Sequence, residues 1–148
     1  MGKTWVLVAD STRARIFSAD KNTGPITEFE TLAHPEGRLH EQHMTSDLPG
    51  KHGNGTGLGR HGMGDQTEPK RQEQIYFAKR IAERLEQGRT KGDYGSLIIV
   101  AAPTLLGLLR DHLSSSTSKL VAHQLDKNLA RLNARDIRGH LPERLPSA

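Results

Sequence analysis

The sequence contains no cysteine and few aromatic residues, with 1 Trp, 2 Tyr and 3 Phe among 148 residues. The absence of cysteine excludes disulfides, thiol chemistry and cysteine-ligated zinc sites. No apolar run approaches the roughly 20 residues that cross a bilayer, and the N-terminus lacks a charged segment followed by a signal-type apolar stretch. We therefore expect a cytoplasmic protein with no membrane partner.

Length and composition indicate one domain, covering residues 1–148, in which one segment adds little to the core. The hydrophobic content is 34%, and residues 35–70 carry only isolated large apolar side chains. The formal net charge is +4. This mild positive balance suits an RNA-facing or anion-binding protein without requiring one.

The first third of the chain has the pattern of three antiparallel strands. Short apolar or alternating runs at 4–10, 14–19 and 26–32 are separated by the turn signals Asp10-Ser11 and Asn22-Thr23-Gly24-Pro25. Asp10 is expected to form the first turn, because an Asp side chain can accept hydrogen bonds from the backbone that follows it.

The rest of the chain alternates helical and strand patterns. A long flexible loop is expected at about 35–66, then a helix from near Thr67 to near Gly88. A continuous apolar run at 96–101 predicts a central strand buried on both faces. The remaining predicted elements are a helix from Pro103 to His112, a strand at 119–125, and a short helix capped by Asn133. The predicted fold is α/β, with a mixed sheet and the order β-β-β-loop-α-β-α-β-α.

The expected loop is rich in glycine and histidine. Residues 57–62 match the letters of a dinucleotide-binding motif, but no apolar strand precedes them, so we reject that interpretation. The histidines His34, His40, His43, His52 and His61 offer no convincing set of three metal ligands, and exposed loop histidines are the preferred interpretation. No cofactor or metal is expected.

Two candidate sites adjoin the first turn. Asp10, as a carboxylate at a strand end, could hold magnesium in a nuclease, but no converging carboxylates can be read from the sequence. Arg13 and Arg15 alternate, so both side chains point to one face of an extended strand. That face is either solvated or a phosphate contact, since the guanidinium fork suits phosphate oxygens.

A family resemblance is carried by three stretches: residues 5–17 (WVLVADSTRARIF), His34-Pro35-Glu36-Gly37-Arg38, and Asp47-Leu48-Pro49-Gly50. Together they resemble the bacterial host-attachment protein family. That family is similar in fold to the middle domain of class-1 peptide release factors and of Pelota (ribonuclease-H-like). In the release factors, a loop after the third strand ends in Gly-Gly-Gln and helps water attack peptidyl-tRNA.

The resemblance implies a role for the end of the glycine-rich loop. Gly62 and Gly64 would supply loop backbone, Gln66 would be the catalytic side chain, and Lys51, Arg60, Lys70 and Arg71 would bind phosphates there. With the strand candidates Arg13 and Arg15, these form the predicted phosphate-binding set. Asp65 stands where the second glycine belongs, and this departure argues against hydrolytic release.

Two functions are therefore expected as alternatives. The first is a ribosome- or tRNA-associated domain that acts in translation rescue or stress response through its flexible loop. The second is a non-enzymatic protein-interaction module that serves attachment to host cells, with a protein as its partner.

Overall fold

The computed structural model describes residues 3–34 and 52–146, and within the first helix it describes side chains from Arg71 onward. The elements in chain order are β1 (Thr4–Ala9), β2 (Arg13–Ala19), β3 (Thr27–Ala33), α1 (His52–Thr90), β4 (Ser96–Ala101), α2 (Pro103–His112), α3 (Ser115–Ser118), β5 (Val121–Leu125) and α4 (Ala134–Gly139). In this part of the chain, no helix is both long and apolar enough to cross a membrane.

The strands form one mixed sheet in the order β3-β2-β1-β4-β5. The predicted meander is confirmed, because β1 pairs antiparallel with β2 and β2 with β3. β4 pairs parallel with both β1 and β5. All six residues of β4 are buried, as the continuous apolar run predicts. The predicted α/β class with a mixed sheet is therefore confirmed.

Each face of the sheet carries its own hydrophobic core. On one face, alternate residues of the central strands, such as Leu7 and Ile99, pack against Phe77, Ile81 and Leu85 of α1 and against the leucines of α2. On the other face, the core contains Val6, Val8, Phe17, Ile98 and Val100, together with Leu129, Ile137 and Leu145 from the C-terminal segment. Three layers result, with the sheet in the middle.

The C-terminal segment is largely irregular and is held to the sheet by polar contacts. The Arg138 guanidinium donates to the carbonyl oxygens of Gly24 (2.9 Å), Pro142 (2.7 Å), Asn22 (3.3 Å) and Glu143 (2.7 Å). The predicted cap on α4 is confirmed, since the Asn133 side chain accepts from the Asp136 N–H at 2.8 Å. The short helix α3, which occupies residues just before the last strand, was not predicted.

The C-terminus of α1 differs from the prediction in one detail that matters for packing. The helix continues past Gly88 to Thr90, and Gly92 adopts φ 75°. The Gly92 N–H donates to the Arg89 carbonyl and the Asp93 N–H to the Gly88 carbonyl, which is the Schellman arrangement. Gly92 thus terminates the helix. Gly88 is required for another reason, because the Trp5 ring packs so closely against it that a Cβ atom would not fit.

The N-terminus of α1 also differs from the prediction. The backbone is helical from His52, whereas the glycine content predicts a loop through residue 66 and a helix start near Thr67. Glycine lowers helix stability by about 1 kcal/mol per residue but does not sterically forbid the helix, and extension from an existing helix adds one hydrogen bond per residue. The part of the predicted loop at 35–51 lies outside the described residues.

Candidate functional site

The candidate site lies at the edge of the sheet where β1 and β4 end. These two strands are parallel neighbours, so the chain leaves both of them at one edge, at Asp10 and at Ala102. β5 runs parallel to β4, which brings Asn128 to the same edge. In open α/β sheets, ligands bind just outside the carboxyl ends of parallel strands. We call this region the carboxyl edge.

Asp10 shapes the turn at this edge. One carboxylate oxygen, Oδ1, accepts hydrogen bonds from the Thr12 N–H (2.8 Å), the Thr12 hydroxyl (2.9 Å) and the Arg13 N–H (3.0 Å). The Asp10 N–H in turn donates to the Arg13 carbonyl at 2.9 Å. The predicted role of Asp10 as a turn former is therefore confirmed. The described residues contain no group of three or more His, Asp or Glu that could hold a metal.

His34 joins β3 to this turn. Its side chain is buried and its ring stacks on Phe77 of α1, with centroids 4.5 Å apart. Nδ1 lies 2.8 Å from the Ser11 carbonyl oxygen, which can only accept, so the proton is on Nδ1. The expectation of an exposed loop histidine is wrong at His34. The side chains of the other four histidines of that group lie outside the described part.

Arg15 is bound within the protein. Nη1 donates to the carbonyl oxygens of Ala130 (2.8 Å) and Leu132 (2.6 Å), and Nε and Nη2 donate to Glu28. The hydrogen bond from Arg15 is the largest cause that lowers the pKa of Glu28 below its usual value. These contacts tie the C-terminal segment to β2 and β3. They favour a structural role for Arg15 over the predicted phosphate contact.

Arg13 lies beside Arg15 with fewer contacts. Both residues line an open groove of about 350 Å³, together with Glu28, Arg131 and Asn133. Among the described residues, the Arg13 side chain makes no hydrogen bond or close ion pair. Of the two alternating arginines, only Arg13 thus keeps its guanidinium available to an anion.

The other predicted site residues lie on or before α1. Arg60, Gly62, Gly64, Gln66 and Lys70 belong to the helical backbone, and the side chains of Arg60, Gln66 and Lys70 lie outside the described part. Lys51 lies outside the described residues altogether. Arg71 is exposed on α1. At 1.5 Å per residue, Gln66 is roughly 12 Å along the helix from Gln74, which reaches the carboxyl edge.

A small cavity of about 200 Å³ opens at the carboxyl edge. We call it the edge cavity. Its polar lining comes from four parts of the chain: the first turn, α1, the start of α2 and the segment after β5. These residues are Asp10, Ser11, Thr12, Gln74, Thr104, Asn128 and Arg131. Sequence reasoning singled out Asp10 alone of this set, although polar residues directly after predicted parallel strands are a signal that could have found Thr104 and Asn128.

An exposed side of α1 carries an aromatic residue. Tyr76 is 65% exposed, and the Lys79 ammonium lies 5.9 Å from its ring centroid. Gln72, Tyr76, Lys79 and Glu83 are all exposed and are spaced four, three and four residues apart, so they share one side of the helix. We call this set the α1 face.

Residues 5–141 match the family described as "Protein required for attachment to host cells". The chain belongs to this family. The match covers all the strands and helices described above except Thr4, the first residue of β1, so the host-attachment resemblance that the sequence motifs predicted is confirmed. The family match does not test the predicted similarity to the release-factor middle domain. No curated protein matches the chain.

Proposed function

We propose that the protein is a non-enzymatic interaction module that acts in attachment to host cells. The observation that carries this proposal is the membership of nearly the whole chain in the host-attachment family. The family description concerns a cellular role, so the molecular proposal is that the protein binds another protein through an exposed surface.

The α1 face is the surface best suited to that role. Tyrosine is enriched among the residues that dominate protein interfaces, because its ring buries a large area at a low cost in side-chain entropy. Tyr76 is more exposed than Phe29, the other exposed large hydrophobic residue of the described part, at 65% against 44%. The Phe29 ring also contacts Trp5, with centroids 5.0 Å apart, and so already has a partner in the fold.

The test compares Tyr76→Ala with the matched change Phe29→Ala in cells of the source organism that lack the native copy. Adherent cells are counted on host cells, and the folded stability of both variants is measured on the purified protein. Tyr76→Ala should lower adherence while leaving stability within about 0.5 kcal/mol of the wild type, as for exposed sites in general. Phe29→Ala should leave adherence unchanged. Equal adherence of the wild type and Tyr76→Ala would overturn this assignment of the surface.

A second candidate function is an association with the ribosome or tRNA. It is supported by the position of the glycine-rich part of α1 between β3 and β4, where the release-factor middle domain carries its working loop. It is also supported by two basic side chains, Arg13 and Arg71, that form no hydrogen bond or ion pair within the described part of the chain. Phosphate contacts by such residues would weaken steeply as salt is raised.

Co-sedimentation with ribosomes at low and moderate salt tests this second candidate. Association that falls with salt and is reduced in Arg13→Gln and Arg71→Gln would support it, with Arg110→Gln as a control because Arg110 lies on α2 and donates to Gln124. A peptidyl-tRNA cleavage assay with Gln66→Ala tests catalysis separately. No association at either salt would remove this candidate and leave the attachment proposal unaffected.

A further inference from the structure

The groove beside the start of β2 has an excess of positive charge. It has a volume of about 350 Å³, and its lining comes from β2, β3 and the C-terminal segment. The charged residues of this lining are Arg13, Arg15, Glu28 and Arg131. Three arginines against one glutamate leave two positive charges in excess. We call this region the arginine groove.

Arg15 brings the other two arginines of the groove together. Its Nη1 donates to the carbonyl oxygens of Ala130 (2.8 Å) and Leu132 (2.6 Å), which lie on either side of Arg131 in the chain. Arg13 precedes Arg15 by two residues on β2, so their side chains share one face of the sheet and their Cα atoms are roughly 7 Å apart. The residues that carry the two other guanidinium groups therefore both adjoin Arg15.

The carboxylate of the groove is already occupied. Glu28 Oε1 accepts from Arg15 Nε (3.2 Å) and Nη2 (2.8 Å), and Oε2 accepts from the Thr31 hydroxyl (2.6 Å). The hydrogen bond from Arg15 is the largest cause that lowers the pKa of Glu28, and the charge of Arg13 adds a smaller lowering. The Arg13 guanidinium thus lies near this carboxylate, whose charge Arg15 already compensates.

The side-chain groups of the groove that lack a partner are donors. Arg13 and Arg131 form no hydrogen bond or ion pair with any described residue. Asn133 accepts from the Asp136 N–H through its Oδ1 at 2.8 Å, and no described residue accepts from its side-chain amide N–H groups. Two guanidinium forks and one amide therefore line the groove with unused donors. Such a lining favours a ligand with negative charge and several acceptor oxygens.

From these features we propose that the arginine groove binds a small molecule that carries a phosphate monoester. This group has a charge of about −1.5 to −2 at pH 7 and three strong acceptor oxygens, which match the two charges in excess and the three unused donor groups. The forks of Arg13 and Arg131 suit bidentate bonds to phosphate oxygens. A groove of about 350 Å³ lies within the roughly 300–1,000 Å³ that hold small ligands.

Other ligand classes fit the arginine groove less well. A phosphodiester, as in RNA, carries one negative charge per phosphate and would compensate only one of the two charges at that phosphate. A dicarboxylate has two charges but separates them by a carbon chain. A cation would meet the excess positive charge of the lining. A phosphate monoester is favoured because it places both charges and all acceptors on one group.

Calorimetric titration of the full chain tests the proposal. The probes are glycerol 3-phosphate, glucose 6-phosphate and AMP, each compared with the same molecule without its phosphate. At least one monoester should bind, and its phosphate-free form should bind about tenfold or more weakly. The same monoester should raise the melting temperature, since it binds the folded state. Succinate and an RNA oligonucleotide without terminal phosphates represent the competing classes. Binding of either with no binding of any monoester would overturn the proposal, and so would silence of the whole panel.

Two variants locate the site. Arg13→Gln and Arg131→Gln each remove one of the two excess charges, and neither side chain holds another described residue in place. Each change should weaken monoester binding about tenfold or more. The matched control is Arg135→Gln, because Arg135 is an exposed arginine of α4 that does not line the groove. Its binding should equal that of the wild type. Equal binding by Arg131→Gln and Arg135→Gln would refute this location. The proposal does not depend on the attachment function.

Discussion

Replacing Gly88 with alanine sets two effects of opposite sign against each other inside α1. In an open helix interior, alanine is about 0.8–1 kcal/mol more favourable than glycine. At residue 88, an added Cβ would lie 2.5 Å from Cη2 and 2.7 Å from Cζ3 of Trp5, and 3.0 Å from Cε1 of Tyr94. Real carbon atoms do not approach this closely without bonding, so either the ring or the helix must move.

The Trp5 ring has little room to move. It is 3% exposed and stacks on Tyr94, with centroids 4.5 Å apart. Phe29 packs against it at 5.0 Å, and the Arg84 guanidinium lies 5.2 Å from its centroid. Overpacking a dense core costs about 1–3 kcal/mol, and the upper part of that range applies where the neighbour is held on several sides. After the helix gain is subtracted, Gly88→Ala should lower the free energy of unfolding by about 1–2 kcal/mol.

Gly107 provides the matched control, because it also lies inside a helix but nothing is within 4 Å of an added Cβ. Gly107→Ala should therefore raise the free energy of unfolding by about 1 kcal/mol. Urea unfolding measures these free-energy changes directly. In thermal unfolding, a change of 1 kcal/mol in the free energy of unfolding shifts the melting temperature by roughly 2–4 °C for a domain of this size. A rise in melting temperature for both variants would refute the close packing of Trp5 on α1.

Three further changes test contacts elsewhere in the fold. Arg15→Met should lower the free energy of unfolding by about 2–4 kcal/mol, because two carbonyl groups and the Glu28 carboxylate lose their hydrogen-bond donor. Arg13→Met should change the free energy of unfolding by less than about 0.5 kcal/mol; urea unfolding measures both. Hydrogen bonds from Arg89, Thr117 and Ser114 lower the pKa of Glu86 to about 2. The ionised Glu86 carboxylate therefore stabilises the folded protein above pH 4.5, and this stabilisation is lost as pH falls toward 2. The stability difference between the wild type and Glu86→Gln should shrink over that interval; a constant difference would contradict the contacts. Burial raises the pKa of Tyr94 to about 12, so stability should fall as pH rises from 10 toward 12, and Tyr94→Phe should remove that loss in alkaline unfolding.

The elements that sequence reasoning predicted well are those with strong local signals. β4 is a continuous apolar run that is buried throughout, and the Asp10 turn and the Asn133 cap each satisfy backbone groups within three residues. Turns and caps of this kind can be predicted from sequence because the side chain and the backbone groups that it bonds lie close together in the chain. The meander was predicted for the same reason, since its strands are joined by short turns.

The elements that were predicted poorly depend on distant parts of the chain. Whether the glycine-rich segment is helical is decided by extension from the packed half of α1, which competes with the low helix propensity of glycine. Gly88 looked like a helix terminus because the Trp5 ring, which explains it, lies 83 positions earlier, as 88 minus 5. The irregular C-terminal segment covers one sheet face without a periodic pattern that would reveal its apolar contacts.

The arginines at the carboxyl edge show why residue type alone does not locate a binding site. Arg15 and Arg131 have the same guanidinium fork of donors. The alternation of Arg13 and Arg15 along β2 predicted a phosphate contact for Arg15. In the fold, the Arg15 donors are satisfied by Glu28 and by two carbonyl groups that lie more than 110 positions along the chain. Arg131 makes no such contact in the described part and lines the edge cavity beside Asp10. Binding capacity belongs to a charge that folding leaves without a partner, so the contacts of Arg15 make it a poor candidate, and Arg13 and Arg131 are the arginines to test first.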